Sequence, residues 1–152
     1  MELLNDALTF ELTVTNTYFL HARMLDNWGL PKLGKAFYDL SIDEMKDADA
    51  LINRILMFDG HPNVQRLHPI RSGEDAKEML TLALESERAA VAQFNAGARE
   101  CHDLGDHGTA AVFEEMVRDE ERHADWFESQ LQAMELVGVE QYLSQQMETS
   151  AP

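Results

Sequence analysis

Residues 43–49 read DEMKDAD and residues 119–125 read DEERHAD. Each stretch holds an acid, three positions on a second side chain able to grip a metal, and then Ala-Asp. The pairs are Glu44 with Asp47, and Glu120 with His123. The offset of 76 positions that superposes them also brings the rest of the chain into register: Glu11 falls on Glu87, Tyr18 on Phe94, Ala22-Arg23 on Ala98-Arg99, Gly29 on Gly105 and Phe37 on Phe113. One helical hairpin is used twice.

Within each half the pattern predicts two long helices. Residues 2–26 carry apolar side chains at helical spacing and Asn27-Trp28-Gly29 interrupts them. Pro31 then suits the first turn of a second helix, which reaches about residue 59 before Gly60 stops it. GHPNVQRLHPIRS, residues 60–72, keeps no period and reads as a connection. Ser72, with Asp75 three residues on, predicts a capping box opening a third helix. A break at Asp103–Gly108 precedes the fourth, and VEQYLSQQ after Gly138 predicts a short fifth. The expectation is an all-α single domain over 1–152, with a bundle over about 1–136 and a C-terminal helix over about 139–147. Two hairpins related by a pseudo-two-fold axis set the second and third helices parallel, so their link must travel the bundle's length. Gly60–Gly73 extends to at most about 46–50 Å, against roughly 44 Å for a helix over 31–59. One long crossover fits.

Composition narrows the function. The chain has 152 residues, enough for one cored domain. With 45% apolar residues, 4 Pro and 8 Gly, it favours helix. Twelve basic against 28 acidic residues leave a net charge of −16, which argues against nucleic acid or anionic membrane as partner and suits concentrating cations. Cys101 is the only cysteine, reads as a small packed residue, and has no Ser/His/Asp or Cys/His arrangement beside it. With no secretory apolar segment, no apolar run near 18 residues and no lipidation signal, the expected location is cytoplasmic.

Acids interrupt every apolar stripe. The stripes run Leu4, Ala7, Glu11, Val14, Tyr18; Phe37, Leu40, Glu44, Asp47, Leu51; Leu80, Ala83, Glu87, Ala90, Phe94; and Phe113, Met116, Glu120, His123, Phe127, Leu131. Glu11 and Glu44 are separated by 33 residues, as are Glu87 and Glu120, so in antiparallel hairpins all four levels coincide near mid-bundle. Each uncompensated charge there costs several kcal/mol, about what relaxation leaves of the desolvation penalty. No Arg or Lys lies on the stripes. Metal cations satisfy such a layer. Glu and His at i and i+3 share a helix face, and an oxygen-rich set with imidazole suits iron or manganese. Carboxylate-bound di-iron bundles use one Glu from each of two helices and Glu-x-x-His from the other two; this chain departs from that pattern at Asp47. The competing structural reading solvates the acids at an open seam.

FELTVTNTYFLHARMLDNWGL, SIDEMKDADALINRILMFDGHPN, GEDAKEML and RDEERHADWFESQL resemble the bacterioferritins, the haem-containing ferritins of bacteria, in order and along nearly the whole chain. The resemblance implies a ferritin-like four-helix bundle in a hollow 24-subunit shell that stores ferric mineral, with a di-iron ferroxidase centre in each subunit and haem b between subunit pairs. It implies Glu11, Glu44, Glu87, Glu120 and His123 as ligands, with Glu44 and Glu120 bridging, and Asp47 standing where the family has histidine. Asp Oδ1 and His Nδ1 are both two bonds from Cβ, so Asp47 is expected to reach the metal. The Asp47 substitution also supports an alternative: a haem-carrying subunit with an impaired iron centre in a mixed shell with a second subunit. A ferredoxin is an expected partner for iron release. No CxxC pair is present for a rubredoxin-type site.

The repeat's mismatches carry a second message. Leu12 falls on Arg88, Phe19 on Asn95, Tyr38 on Glu114, Ile42 on Arg118, Met45 on Glu121 and Ile52 on Glu128. The first hairpin therefore has a second apolar face, which predicts a two-fold dimer. Thioether sulfur ligates haem iron. By the resemblance Met45 is the haem ligand, with Leu12, Phe19 and Trp28 lining the pocket. Asp39 and Asp43 are expected to guide iron between the centre and a cavity, and His61, His68, His102 and His107 to be solvated in connections or to bind metal at a shell opening.

Overall fold

The computed structural model describes residues 1–147; residues 148–152, the end of the expected single-domain span, lie outside the described residues. Five helices follow in order: α1 Glu2–Asn27, α2 Pro31–Met57, α3 Ala76–Asp103, α4 His107–Val137 and α5 Val139–Ser144. Both hairpin turns are three residues long, and Gly29 and Gly105, superposed by the repeat, supply left-handed φ values of 77° and 73°. With turns so short, α2 runs back along α1 and α4 back along α3.

Four boundaries differ from the sequence reading, the last being that of α5, which stops at Ser144 and not about 147 because the Gln145 and Gln146 amides turn back to the Tyr142 and Leu143 carbonyls. Helix α2 ends at Met57 because Asp59, at φ 55°, takes the left-handed turn and the Gly60 amide donates back to the Ile55 carbonyl. Helix α3 is capped by Asp75 and not by Ser72: Asp75 Oδ1 accepts from the Glu78 amide at 2.8 Å, while Glu78 accepts from the Glu74 amide at 2.7 Å. Helix α4 begins at His107 because Asp106 caps it, accepting from the Thr109 amide at 3.0 Å.

The crossover runs along α1. Near its start, Asn63 N donates to Asn5 Oδ1 at 2.8 Å; next Arg66 Nε donates to Thr9 Oγ1 at 2.8 Å, and His68 N to Thr13 Oγ1 at 2.9 Å. At its end Gly73 N donates to His21 Nε2 at 3.1 Å. The link therefore travels from the first turns of α1 towards its last, and α3 starts where α1 is ending. This makes α3 parallel to α2 and antiparallel to α1. The hairpins meet as α1 against α3 and α2 against α4, and α5 docks beside α4, with Tyr142 donating to Gln130 Oε1 at 2.8 Å.

The core is divided in two. One apolar cluster gathers Tyr18, Leu25, Leu33, Phe37, Met79, Leu80 and Phe127; the other gathers Leu8, Leu51, Ile55, Phe94, Cys101, Phe113 and Met116. Between them, in chain order on every long helix, falls one buried glutamate. None of the described helices is long and apolar enough to cross a membrane.

Candidate metal centre

The glutamates fall between the clusters because steps of three and four keep them on the buried stripe of each helix. Glu11 is 0% exposed, Glu44, Glu87 and Glu120 are each 1% exposed, and His123 is 4% exposed, which rules out an open, solvated seam. Asp47, one turn after Glu44, is half-buried. All six side chains meet in two overlapping groups: Glu44, Glu87, Glu120 and His123 in one; Glu11, Glu44, Asp47 and Glu120 in the other. Within each group one ligating atom per residue lies within 4.8 Å of the rest. Glu44 and Glu120 belong to both.

His123 Nδ1 stands 3.1 Å from Glu44 Oε1, 3.6 Å from Glu120 Oε2 and 3.8 Å from Glu87 Oε2. The Tyr18 hydroxyl donates to Glu87 Oε1. This contact escaped the sequence reading, although the repeat pairs Tyr18 with Phe94 and so places a hydroxyl at this level in one half only. His21 also escaped notice; it is fully buried in α1 and receives the Gly73 amide.

Electrostatics describe a strained cluster. Burial, then the charges of Glu44 and Glu120, raise Glu11 well above the ordinary carboxylate range. Glu87 is raised by burial and the same two neighbours, and Glu44 by burial, with His123 working against it. Asp47 is pushed up to about 7 by burial, Glu120 and Glu44. Burial lowers His123, but Glu120 and Glu44 outweigh it and bring the imidazole to about 10. These groups titrate as one system.

Six atoms of this layer are buried without a hydrogen-bond partner: both Glu11 oxygens, Glu44 Oε1, Glu120 Oε1 and both His123 ring nitrogens. Buried polar atoms are nearly always partnered, and so many orphans facing one another fit cations. Two ions can sit here, one among Glu87, His123 and the two shared glutamates, the other among Glu11, Asp47 and the same pair.

Residues 1–137 match the ferritin family, described as a ferritin-like domain. The chain is 43% identical over 142 residues to the bacterioferritin of Brucella melitensis, covering 93% of this chain and 88% of that protein. It is 42% identical over 145 residues to the bacterioferritin of Mycolicibacterium paratuberculosis, covering 95% and 91%. The chain belongs to the bacterioferritin family. A third bacterioferritin, from Rhodobacter capsulatus, is 39% identical over 138 residues, covering 91% of this chain and 86% of that protein.

Around this bacterioferritin centre the remaining expected residues separate. A cleft of about 320 Å³ between α2 and α4 is lined by Asp43, Asp47, Glu115, Asp119 and His123, with Lys46 and Arg122 at its sides. Asp43 therefore lies on the wall of a cleft that also touches Asp47 and His123; Asp39 is not on that wall and pairs with Lys35 at 2.5 Å. Met45 is 48% exposed on α2, and Phe19, Trp28 and Tyr38 are likewise exposed, whereas Leu12 is half-buried. Phe19 and Tyr38 lean together at 6.2 Å between ring centroids, under the Arg23 guanidinium. His61 and His68 are exposed in the crossover, but His102 and His107 lie in helix ends, the last turn of α3 and the first residue of α4, not in a connection. Cys101 is buried in the second apolar cluster.

Proposed function

We propose that this bacterioferritin-family chain is an iron-storage subunit whose buried centre takes up two Fe(II) ions and oxidises them with dioxygen or peroxide. It supplies ferric mineral to a 24-subunit shell assembled from two-fold dimers. The observation that carries the reading is the pair of overlapping ligand groups, six residues with orphaned buried atoms and two glutamates in common. Glu44 and Glu120 bridge. Glu87, held by Tyr18, and His123 complete one iron site; Glu11 and Asp47 complete the other. Each Fe(II) gives up one electron, so the pair delivers two to a single oxidant molecule. The ligands lose their protons as Fe(II) binds, His123 and Asp47 among them. Asp47 replaces a neutral imidazole with a carboxylate, and that extra negative charge favours Fe(III) over Fe(II).

Haem b belongs to the same proposal. Two Met45 thioethers meeting across a dimer dyad would hold one haem per two chains, with Leu12, Phe19 and Trp28 lining the pocket. The half-exposed thioether on an otherwise uncovered apolar face supports this. Bound there, haem supplies one-electron transfer, and a ferredoxin is the class of reductant suited to release iron through it.

Aerobic Fe(II) titration of the metal-free protein tests the iron chemistry. Rapid oxidation that saturates at two irons per subunit is expected. Slow oxidation without a break would instead favour the reading that Asp47 motivates, a haem-carrying subunit with an impaired centre beside an active second subunit in a mixed shell.

A further inference from the structure

A second group of metal-binding side chains lies far from the buried centre, at the turn joining α3 to α4. His102, in the last turn of α3, and His107, the first residue of α4, bring their Nδ1 atoms to 3.2 Å, with ring centroids 5.4 Å apart. The other nitrogen of His102, Nε2, lies 2.7 Å from Glu114 Oε1 on α4. His102 and Glu114 are about half exposed, so solvent ions reach the pair.

The carboxylate decides the tautomer. Glu114 accepts the Nε2 proton of His102, which leaves the Nδ1 lone pair of the neutral ring pointing at His107. A histidine that ligates a metal almost always donates its other ring N–H in this way, to a carboxylate or carbonyl. Spacing agrees: two nitrogens 3.2 Å apart, each about 2.0–2.1 Å from one ion, subtend roughly 100° at it, between octahedral and tetrahedral values. Asp106, the nearest acid in the turn, is already engaged by Thr109 and Arg54 and does not compete for the imidazoles. Along α3 the pair stands 15 residues from Glu87, about 22 Å away.

We propose that His102 and His107 chelate one divalent first-row transition cation through their Nδ1 atoms at the α3–α4 turn, with Glu114 orienting His102. Water fills the remaining coordination positions. The site is separate from the iron chemistry proposed above and does not depend on it. Imidazole nitrogen suits Fe(II), Zn(II) or Co(II) rather than Mg(II) or Ca(II).

Zn(II) is the probe. Equilibrium dialysis of the whole protein should show one more Zn(II) per chain in the natural sequence than in His107→Asn or His102→Asn, and Glu114→Gln should weaken that ion roughly tenfold while leaving the saturating number unchanged. Both histidines are exposed, so the variants should keep their helices, which circular dichroism checks. In Zn(II)-soaked crystals the anomalous peak should lie within bonding distance of both Nδ1 atoms. Equal Zn(II) stoichiometry in the natural protein and both histidine variants, or no anomalous peak touching both rings, would overturn the proposal. The buried centre reads out separately, through its Fe(II) oxidation.

Discussion

His123 Nδ1 and Glu44 Oε1 stand 3.1 Å apart across α4 and α2, yet both atoms lack a hydrogen bond of acceptable alignment. The contact is one of proximity and charge, because the direction of the N–H, and not its distance alone, makes a hydrogen bond. Atoms that close and that misaligned face a common point, as ligands do.

Metal-free stability should fall as pH rises, and bound metal should remove the trend. Asp47 titrates near 7 when folded and near 4 when unfolded, so the folded state holds the extra proton between those values and loses stability as pH climbs through them. His123, at about 10 when folded against about 6.5 unfolded, extends the loss from 6.5 towards 10. Thermal midpoints of the metal-free protein between pH 6.5 and 9 should decline; after Zn(II) loading they should be higher and flatter.

Asp47→His should leave the rate of Fe(II) oxidation similar, since Asp Oδ1 and His Nδ1 reach to the same depth. Asp47→Ala should lower the saturating iron number from two towards one per chain. A many-fold gain in stopped-flow rate for Asp47→His would mean that the natural site is crippled.

Tyr18→Phe removes the hydroxyl that holds Glu87. Urea denaturation of the metal-free protein should show a loss of about 1–3 kcal/mol, the range for leaving a buried acceptor without its partner. Iron binding should weaken as Glu87 loses its fixed rotamer.

His21→Gln tests the tie between α1 and the crossover. Burial lowers His21 to about 4, so stability from its neutral ring is fully present above pH 6.5 and is lost as pH falls towards 4. Gln can still accept the Gly73 amide and does not titrate. The variant's stability should vary less than the natural protein's over pH 4–6.5.

Met45→Leu keeps the apolar face and removes the thioether. Haem reconstitution should fall from one haem per two chains to near none by absorbance, while the Fe(II) oxidation rate stays unchanged.

Local period carried much of this protein. Because a helix returns to the same face every three or four residues, Glu11, Glu44, Glu87 and Glu120 could be placed on buried stripes and at one height from spacing alone, and the length of residues 60–73 demanded a link that spans the bundle. Capping was harder to place. Ser72 and Asp75 satisfy the same spacing rule as Asp75 and Glu78, and in the structure it is Asp75 that takes the Glu78 amide, just after the Gly73 amide has been tied to His21. Tertiary structure alone decided which atoms meet: that Glu44 and Glu120 belong to both ligand groups, that Tyr18 reaches Glu87, and that His102 turns towards His107 under Glu114. Periodicity reports which face of a helix a residue occupies, but helix rotation, register and side-chain rotamers set the ångström-scale distances across helices, and metal chemistry depends on those.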